Sequence, residues 1–449
     1  MKTLALIVAL CATSLVVGGA PIASGPLLPP ASIGTKLYVA DFTEDTVFVL
    51  EDLNTDGDCN DAGEIVSFFD TTSPDPNLHL ATPRSLVMGP DGALYVGDAN
   101  QDFILRLEDL DGDGTANQAG EATIFYDANS GAPGLVSVSN LAFDQEGFLY
   151  FTDTGTSGAT DRVIAKIRDE NRDGYCVTAD GEVAIVYSRD TTTGTSIERT
   201  AGLIILPDGS LLGSDFDLDR LHLFRDTPGA EDGDANDVDE QPVVFDTAAG
   251  TTELNFAEHL ALGLEESPGV RSIFINAGPT EDTIWRFRDD DLDGEFANPT
   301  ETTVFWDTTQ ADGLVPANAR TLVVDPTGSV WALEAGSGSV EEAIMILTDL
   351  NGDGDVNDAG EARVFADNSN LSGVEFGQPQ GMALELDLVV PQLLFIRSDC
   401  NVDGGTDIGD AVFTLEILFS TPTVLDCEKG CDSNDDGNLD ISDAIFTLS

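Results

Sequence analysis

The residues best suited to chemistry in this sequence form a short acidic motif that recurs along the chain. In the last full copy, the oxygen-bearing side chains and the turn glycine are Asp349, Asn351, Asp353, Gly354 and Glu361. Oxygen ligands at positions one, three and five, a glycine that permits a sharp turn, and a distal glutamate are how a flexible loop surrounds a hard cation. The motif therefore predicts a Ca²⁺ site.

Four earlier copies carry ligands of the same types, and the fourth copy along the chain is degraded. The predicted ligands are Asp52, Asn54, Asp56 and Glu64 in the first copy, Asp109, Asp111, Asp113 and Glu121 in the second, Asp169, Asn171, Asp173 and Glu182 in the third, and Asp289, Asp291, Asp293 and Glu301 in the fifth. In the degraded fourth copy at residues 226–240, Pro228 and Ala230 stand where the first two ligands belong, so we expect a weak or empty site there. Asp, Asn and Gly also make ordinary polar turns, but five copies in register favour cation sites.

The copies recur with a period of about 60 residues. Their glycines are Gly57, Gly114, Gly174, Gly233, Gly294 and Gly354, which are separated by 57, 60, 59, 61 and 60 residues. Each period also holds four strand-like runs, for example residues 84–88, 94–97, 103–107 and 122–126, and the acidic motif joins the last two. One four-stranded antiparallel sheet per repeat is typical of a propeller blade. The strand-like flanks make the motif a calcium-binding hairpin and not a helix-flanked EF-hand.

The two ends of the repeat region indicate how the ring closes. The first repeat begins directly at its second strand, residues 36–40, whereas residues 378–384 after the sixth repeat align with an opening strand. We expect this late strand to complete the first blade. The predicted fold class is all-β, a six-bladed β-propeller at residues 34–390 closed by a C-terminal strand.

The inner hairpins carry a recognisable signature, in which the turn Pro90-Asp91-Gly92 precedes a run of the form L-Y-V-x-D. With this signature the chain resembles the six-bladed propellers of the NHL-repeat and gluconolactonase-like (TolB-like) superfamily over residues 34–390. The resemblance implies the fold. Activity must be inferred from a site on that fold.

A candidate ligand site lies at the entrances to the innermost strands, on the face opposite the acidic loops. The candidate ligand-binding residues there are Arg84, Arg199, Arg320 and Gln380. Arginine binds carboxylates through two hydrogen bonds, so we expect a pocket for a carboxylated or polyhydroxylated ligand. In the alternative interpretation the arginines only neutralise rim acids such as Asp98, Asp153 and Asp215.

The resemblance also implies two enzymatic alternatives at this mouth. A lactonase-like hydrolase would hold a metal with Glu and Asn ligands, for which Glu258, Asn140 and Asn318 are available. A quinone-dependent sugar dehydrogenase would use His259 as its base and the arginines to hold the acid groups of the quinone. His259 and Glu258 are therefore the candidate catalytic residues.

A duplicated segment follows the propeller at residues 398–449. It resembles a dockerin, a small α-helical module of two loop-helix calcium motifs, with an apolar stripe of Val412, Leu415 and Leu418 on the first helix. By position, the resemblance implies the Ca²⁺ ligands Asp399, Asn401, Asp403, Asp407 and Asp410, then Asp432, Asn434, Asp436, Asp440 and Asp443. It also implies a cohesin-like or cell-surface scaffold partner.

Composition and the N-terminus limit location and partners. Residues 1–20 have the pattern of a secretory signal peptide and residues 21–33 that of a linker, so we expect a secreted or cell-surface protein. The 82 acidic and 19 basic residues give a net charge of −63, which argues against nucleic-acid and anionic-membrane partners. Cys59 and Cys176 occupy loops two repeats apart and should not form a disulfide.

The sequence as a whole favours a calcium-binding propeller that binds a ligand or mediates adhesion in extracellular polysaccharide handling. The alternative is a carbohydrate-active enzyme, lactonase-like or quinone-dependent, that uses the channel mouth.

Overall fold

The computed structural model describes most of the repeat region and two C-terminal helices. The described residues are 35–128, 137–154, 162–189, 197–226, 234–237, 239–247, 254, 257–277, 283–296, 298, 300–336, 342–386, 408–419, 433, 439 and 441–447. The predicted signal peptide and linker lie outside them, as do Pro228 and Ala230 of the fourth acidic loop.

Strands Thr35–Asp41 to Pro379–Leu386 form six four-stranded antiparallel sheets, which are the six blades of a β-propeller. Blade one consists of β24 (Pro379–Leu386), β1 (Thr35–Asp41), β2 (Thr46–Leu50) and β3 (Ile65–Phe69), and blade two of β4 (Pro83–Met88), β5 (Leu94–Asp98), β6 (Phe103–Leu107) and β7 (Ala122–Asp127). Blade three consists of β8 (Val138–Phe143), β9 (Leu149–Asp153), β10 (Val163–Ile167) and β11 (Val183–Ser188), and blade four of β12 (Thr200–Ile205), β13 (Leu211–Asp215), β14 (Arg220–Phe224) and β15 (Val243–Asp246). Blade five consists of β16 (Leu260–Ser267), β17 (Val270–Ala277), β18 (Thr283–Arg288) and β19 (Thr302–Trp306), and blade six of β20 (Ala319–Val324), β21 (Val330–Glu334), β22 (Ala343–Leu347) and β23 (Ala362–Ala366).

The late strand closes the ring as the sequence predicted. β24 pairs antiparallel with β1, and Leu384 lies opposite Leu37. The innermost strands β24, β4, β8, β12, β16 and β20 contact one another in that circular order. The first blade is therefore built from both ends of the repeat region, so that the N- and C-terminal strands cannot separate without losing a complete strand pairing.

The hydrophobic core lies between the blades. Middle strands such as β5 and β22 are buried along their whole length, because both sheet faces pack against neighbouring blades. Outer strands alternate instead, so that Val66 in β3 is 42% exposed while Phe68 is buried. In one cluster Val49 and Phe68 of blade one pack against Val96 and Leu105 of blade two. Burial of these faces is the main hydrophobic stabilisation of the ring.

The inner turns and the acidic loops share one face. A groove of about 360 Å³ between blades one and two is lined both by Gly92 of an inner turn and by Asp109 of an acidic loop. Gly92 has φ +83°, a left-handed conformation that favours glycine and makes this tight turn possible. The entrances to the innermost strands therefore lie on the opposite face, as predicted.

Two helices lie in the C-terminal segment, α1 (Ile408–Phe419) and α2 (Ile441–Thr447), and they contact each other. Ala411 and Ala444 are buried, whereas Val412 is 57% exposed. The predicted stripe was therefore wrong at Val412, because the buried face begins one residue earlier. Of the ten predicted ligands here only Asp410 and Asp443 fall on the described backbone, in α1 and α2. No helix among the described residues is long and apolar enough to cross a membrane.

Candidate functional site: the acidic loops and the channel mouth

The five complete acidic loops share one backbone geometry. In blade one the amide of Gly57 donates to Asp52 Oδ2 at 2.9 Å, and the amide of Asp56 donates to Asn54 Oδ1 at 2.8 Å. The glycine-to-first-aspartate bond recurs at 2.9, 2.8, 2.9 and 2.9 Å in blades two, three, five and six. These bonds turn the side chains of the predicted ligands toward the inside of each loop.

The fourth residue of each loop is left-handed. Thr55, Arg172 and Leu292 have φ values of +63°, +62° and +60°, and Gly112 and Gly352 stand at the same position in blades two and six. A left-handed conformation costs an L-residue roughly 1–2 kcal/mol relative to glycine. Three loops therefore retain this backbone shape against local strain.

The distal glutamates are buried anchors. Glu64 is 3% exposed, and its carboxylate accepts hydrogen bonds from the amides of Leu53 at 3.1 Å and Asp61 at 2.9 Å. Glu121, Glu182 and Glu361 make equivalent bonds. A buried carboxylate is costly unless its oxygens have partners. Glu301 is 2% exposed, and its Oε1 has no hydrogen-bond partner among the described residues.

Carboxylate oxygens converge in two loops. One oxygen from each of Asp109, Asp111 and Glu121 in blade two lies within 4.8 Å of the others, and the same holds for Asp289, Asp291 and Glu301 in blade five. The loops are thus acidic clusters with the spacing of a cation site.

Each loop also contains an acid-amide pair that the ligand prediction missed. Where position three is an amide, a later residue is an acid: Asn54 donates to Asp61, Asn171 to Asp180 and Asn351 to Asp358, at 2.5, 3.1 and 2.7 Å. Where position three is an acid, the later residue is an amide: Gln118 donates to Asp111, and Asn298 donates to Asp291 at 2.8 Å.

The exchange keeps the charge constant over the predicted ligand positions and the paired residue of every complete loop. Counted over the four predicted ligands and the later residue of the pair, each loop has four carboxylates, which are Asp52, Asp56, Asp61 and Glu64; Asp109, Asp111, Asp113 and Glu121; Asp169, Asp173, Asp180 and Glu182; Asp289, Asp291, Asp293 and Glu301; and Asp349, Asp353, Asp358 and Glu361. Comparison of the copies with one another could have revealed this pairing from sequence. A fixed charge is what a site for one kind of cation requires, since ligand charge sets affinity.

On the opposite face, buried side chains at the end of the second strand of each blade position the channel mouth. Asp98 accepts the amides of Ala81 and Thr82 at 2.6 and 3.0 Å, and Asp215 accepts the amide of Arg199 at 3.2 Å. In the same way, the amide of Gly377 donates to Asp41, the amide of His259 to Asn276, and the amides of Ala317 and Asn318 to Glu334. These bonds fix the segments that enter the innermost strands.

Arg199 and Arg320 at the channel mouth form ion pairs with acids other than Asp98 and Asp215. Arg199 pairs with Asp217 at 2.9 Å and lies 3.7 Å over the ring of Phe216. Arg320 contacts both oxygens of Glu258, at 3.2 and 3.0 Å. Two of the three arginines are therefore paired with acids, as the alternative interpretation expected, but the oxygens of Asp98 and Asp215 accept backbone amides instead.

Arg84 differs from the other two arginines. It is exposed, and its guanidinium makes no hydrogen bond or ion pair within the described part of the chain. Desolvation lowers the pKa of Arg84, and the positive charges of Arg320 and Arg199 lower it further, whereas Glu258 acts in the opposite direction. Arg84 thus lies within electrostatic range of two arginines and of two acids, Glu258 and Asp98.

Below the mouth lies the central channel, with a volume of about 400 Å³. Its polar lining residues are Ser85, Asn140, His259 and Thr321. Ser85 is 4% exposed and its hydroxyl has no partner among the described residues. Thr321 donates to the backbone carbonyl of Gln380 at 2.5 Å.

No family model and no curated protein matches the chain. Among solved structures, it is similar to a chain of a nidogen/laminin complex, with a TM-score of 0.47 and 14% identity over 78% of this chain and 98% of that chain. It is similar to a gluconolactonase from Xanthomonas campestris, with a TM-score of 0.40 and 12% identity over 67% of this chain and 79% of that chain. It is similar to the PQQ-bound aldose sugar dehydrogenase from Streptomyces coelicolor, with a TM-score of 0.39 and 16% identity over 67% of this chain and 84% of that chain. At these identities the similarity concerns the propeller fold alone.

The candidate catalytic residues are held separately. Nδ2 of Asn140 lies 3.4 Å from Nδ1 of His259, Glu258 bonds Arg320, and Asn318 donates to the carbonyl of Ala335 at 3.2 Å. A metal bound by Glu258 would have to displace a guanidinium. Desolvation, assisted by Arg320, lowers the pKa of His259 to about 4, so this imidazole is neutral at physiological pH.

Proposed function

We propose that this protein is an extracellular calcium-binding propeller that binds carboxylate-bearing saccharides at its channel mouth. The single observation that supports this best is the guanidinium of Arg84, which has no acidic partner among the described residues although the chain carries 82 acidic residues. The positive charges of Arg199 and Arg320 act on Arg84. Glu258 and Asp98 act on Arg84 by charge but make no ion pair with it, so its guanidinium is available to bind a carboxylate through two hydrogen bonds.

The surroundings of Arg84 support a saccharide as that ligand. The hydroxyl of Ser85 is buried without a partner, and the amide of Asn140 is nearby in the same channel lining. Hydroxyl and amide groups suit the hydroxyls of a sugar, while the arginines suit its carboxylate. The channel volume of about 400 Å³ falls within the usual range for small-ligand sites.

Local charge outweighs the overall acidity at this site. Exposed charges more than about 8 Å away are largely screened at physiological ionic strength. The distant acids therefore repel an acidic sugar weakly compared with the attraction of Arg84, the mouth arginine that has no ion pair among the described residues. Binding should weaken as salt concentration rises, because the arginines are partly exposed.

The cation sites form the second part of the proposal. Ca²⁺ at each complete loop would offset at least four carboxylates that otherwise repel one another, and the oxygen-only donor sets fit this hard ion. Export by the signal peptide at residues 1–20 and attachment to a cohesin-like or surface scaffold through the dockerin-like segment complete it. These last two elements rest on sequence patterns.

Calorimetric titration with a glucuronate-containing disaccharide and with its neutral glucose-containing counterpart tests the ligand site. We expect the wild type to bind the acidic sugar and Arg84→Gln to bind it at least tenfold more weakly. Arg271→Gln is the matched control, since Arg271 pairs with Glu265 at the opposite end of a blade. Equal affinity of wild type and Arg84→Gln, or equal binding of the neutral disaccharide, would refute the proposal.

The second candidate is a quinone-dependent sugar dehydrogenase, and His259 is the observation that favours it. A neutral imidazole beside Arg320 has a free electron pair for a proton, and the arginines would suit the acid groups of such a quinone. The low pKa of about 4 makes His259 a weak base at neutral pH. Quinone reduction by aldoses in wild type that is lost in His259→Asn would establish this activity, whereas no reduction in wild type would leave binding alone.

A further inference from the structure

Each acidic loop also reaches across to the preceding blade. The residue two positions after the motif glycine donates its amide to a carbonyl of that blade's outermost strand. The six pairs are Cys59 to Phe365 at 2.6 Å, Ala116 to Phe68 at 2.7 Å, Cys176 to Phe125 at 2.7 Å, Ala235 to Val186 at 2.6 Å, Phe296 to Val244 at 2.8 Å and Val356 to Phe305 at 2.8 Å. We call each of these hydrogen bonds a blade staple.

The staple residues are buried between blades. All six are at most 8% exposed, and Phe296 is the largest of them. Its ring lies 5.6 Å from that of Phe287 in blade five, which lies 4.9 Å from that of Phe245 in blade four. The loop of blade five thus inserts a wedge into the interface with blade four.

A second bond strengthens four of the staples. The next residue is an asparagine whose side-chain oxygen accepts an amide at the end of the same outer strand. The four pairs are Asn60 with Asp367 at 3.1 Å, Asn117 with Asp70 at 3.0 Å, Asn236 with Ser188 at 2.8 Å and Asn357 with Asp307 at 3.1 Å. The staple is therefore a repeated feature of the ring.

The loop of blade five contains both a cation site and a staple within a few residues. Oxygens of Asp289, Asp291 and Glu301 converge within 4.8 Å. Glu301 is 2% exposed, one of its carboxylate oxygens belongs to this cluster, and its Oε1 has no hydrogen-bond partner among the described residues. Phe296 stands between these ligands in sequence, so any change in the loop's curvature moves the staple.

We propose that a divalent cation bound by Asp289, Asp291 and Glu301 locks the interface between blades four and five by holding Phe296 in its staple. This inference rests on the proposed calcium binding and extends it from a single loop to the interface between two blades. Without the cation the carboxylates repel one another, and the loop opens away from the neighbouring blade.

Blade four provides an internal control. Ala235 forms the same staple, and the amide of Asp237 donates to the buried Glu240 at 2.9 Å. In the sequence, however, Pro228 and Ala230 replace the first two ligands. The interface between blades three and four should therefore remain closed whether or not calcium is present.

Hydrogen exchange of the full chain, followed by mass spectrometry with Ca²⁺ and with excess chelator, tests this inference. We expect chelation to speed exchange at least tenfold in the peptide covering residues 294–301 and to leave residues 234–240 unchanged. Glu301→Gln should reproduce the effect in saturating Ca²⁺ in blade five only, with blade two unaffected. Glu295→Gln, an exposed change of equal charge in the same loop, should exchange like wild type.

Calorimetric titration of the same sample with Ca²⁺ separates the two ways of failing. If Ca²⁺ binds but chelation leaves exchange in residues 294–301 unchanged, the blade lock is refuted and the calcium sites stand. If chelation accelerates residues 234–240 equally, the effect is global and the lock is also refuted. If no Ca²⁺ binds, both the lock and the proposed calcium sites are refuted.

Discussion

The acid-amide pair of each loop gives the sharpest test of the cation sites. In blade six, Asn351 donates to Asp358 at 2.7 Å, and both residues are exposed. Asp358→Asn removes one carboxylate, and Asn351→Asp adds one. The double substitution restores four carboxylates in the arrangement that blade two already uses, with an acid at position three and an amide later.

The expected size of the effect follows from the geometry. A carboxylate that touches the third ligand lies about 5 Å from a cation in the loop, and at the dielectric constant of water its attraction for a divalent ion is about 2 kcal/mol. Asp358→Asn should therefore weaken Ca²⁺ binding at this loop roughly 30-fold. The double variant should bind within a few-fold of wild type.

The assay must report one loop among several. Hydrogen exchange of the peptide covering residues 349–361, measured over a range of free Ca²⁺ concentrations, gives a midpoint for blade six alone, and residues 109–121 in the same sample serve as the unaltered reference. An unchanged midpoint in Asp358→Asn, or a double variant no tighter than the single one, would show that the exchange of acid and amide has no role in cation binding.

Three further predictions concern stability and reactivity. Thr55→Gly should raise the free energy of unfolding by up to about 1 kcal/mol, because it removes left-handed strain. Gly57→Ala, at φ +101°, should lower the free energy of unfolding by about as much or more. Calorimetry in saturating Ca²⁺ measures both changes. Burial lowers the pKa of His222 from 6.5 to about 4, so the folded state binds fewer protons than the unfolded state. The free energy of unfolding should therefore fall by about 3 kcal/mol in all as pH falls from about 6.5 to about 4. His222→Leu should flatten this part of the pH profile, and an unchanged profile would refute the assignment. Cys59 and Cys176 are buried and unpaired, and desolvation raises the pKa of both thiols. Labelling of these two thiols by a thiol-reactive reagent should therefore be slow in the folded protein and fast in denaturant. Rapid labelling of the folded protein would contradict their burial.

The repeat architecture could be predicted from the sequence because its signals are periodic. The spacing of Gly57 and its equivalents fixes the number of blades, and the unpaired strands at residues 36–40 and 378–384 predict the closure that β1 and β24 confirm. Periodicity also places Arg84 and Arg320 at one mouth, since equivalent positions of a ring lie on one circle, and Arg199 lies two residues before the equivalent Ala201.

The partners of individual side chains were harder to predict from the sequence. Asp98 and Asp215 have the right charge to pair with arginines, but their oxygens accept backbone amides, which carry no sequence signature. The blade staples were missed for the same reason, because a backbone bond from Ala116 or Val356 does not depend on which side chain is present. Asp358 could have been found by comparing the repeats with one another.

The thermal unfolding of the full chain with Ca²⁺ and with excess chelator tests most directly whether cations hold the ring together. A ligand at 100 times its dissociation constant stabilises the folded state by about 2.7 kcal/mol per site, and five such sites act on the same ring. We predict a substantially lower melting temperature in chelator, restored by Ca²⁺ in excess over the chelator. Equal melting temperatures under the two conditions would contradict a structural role for the acidic loops.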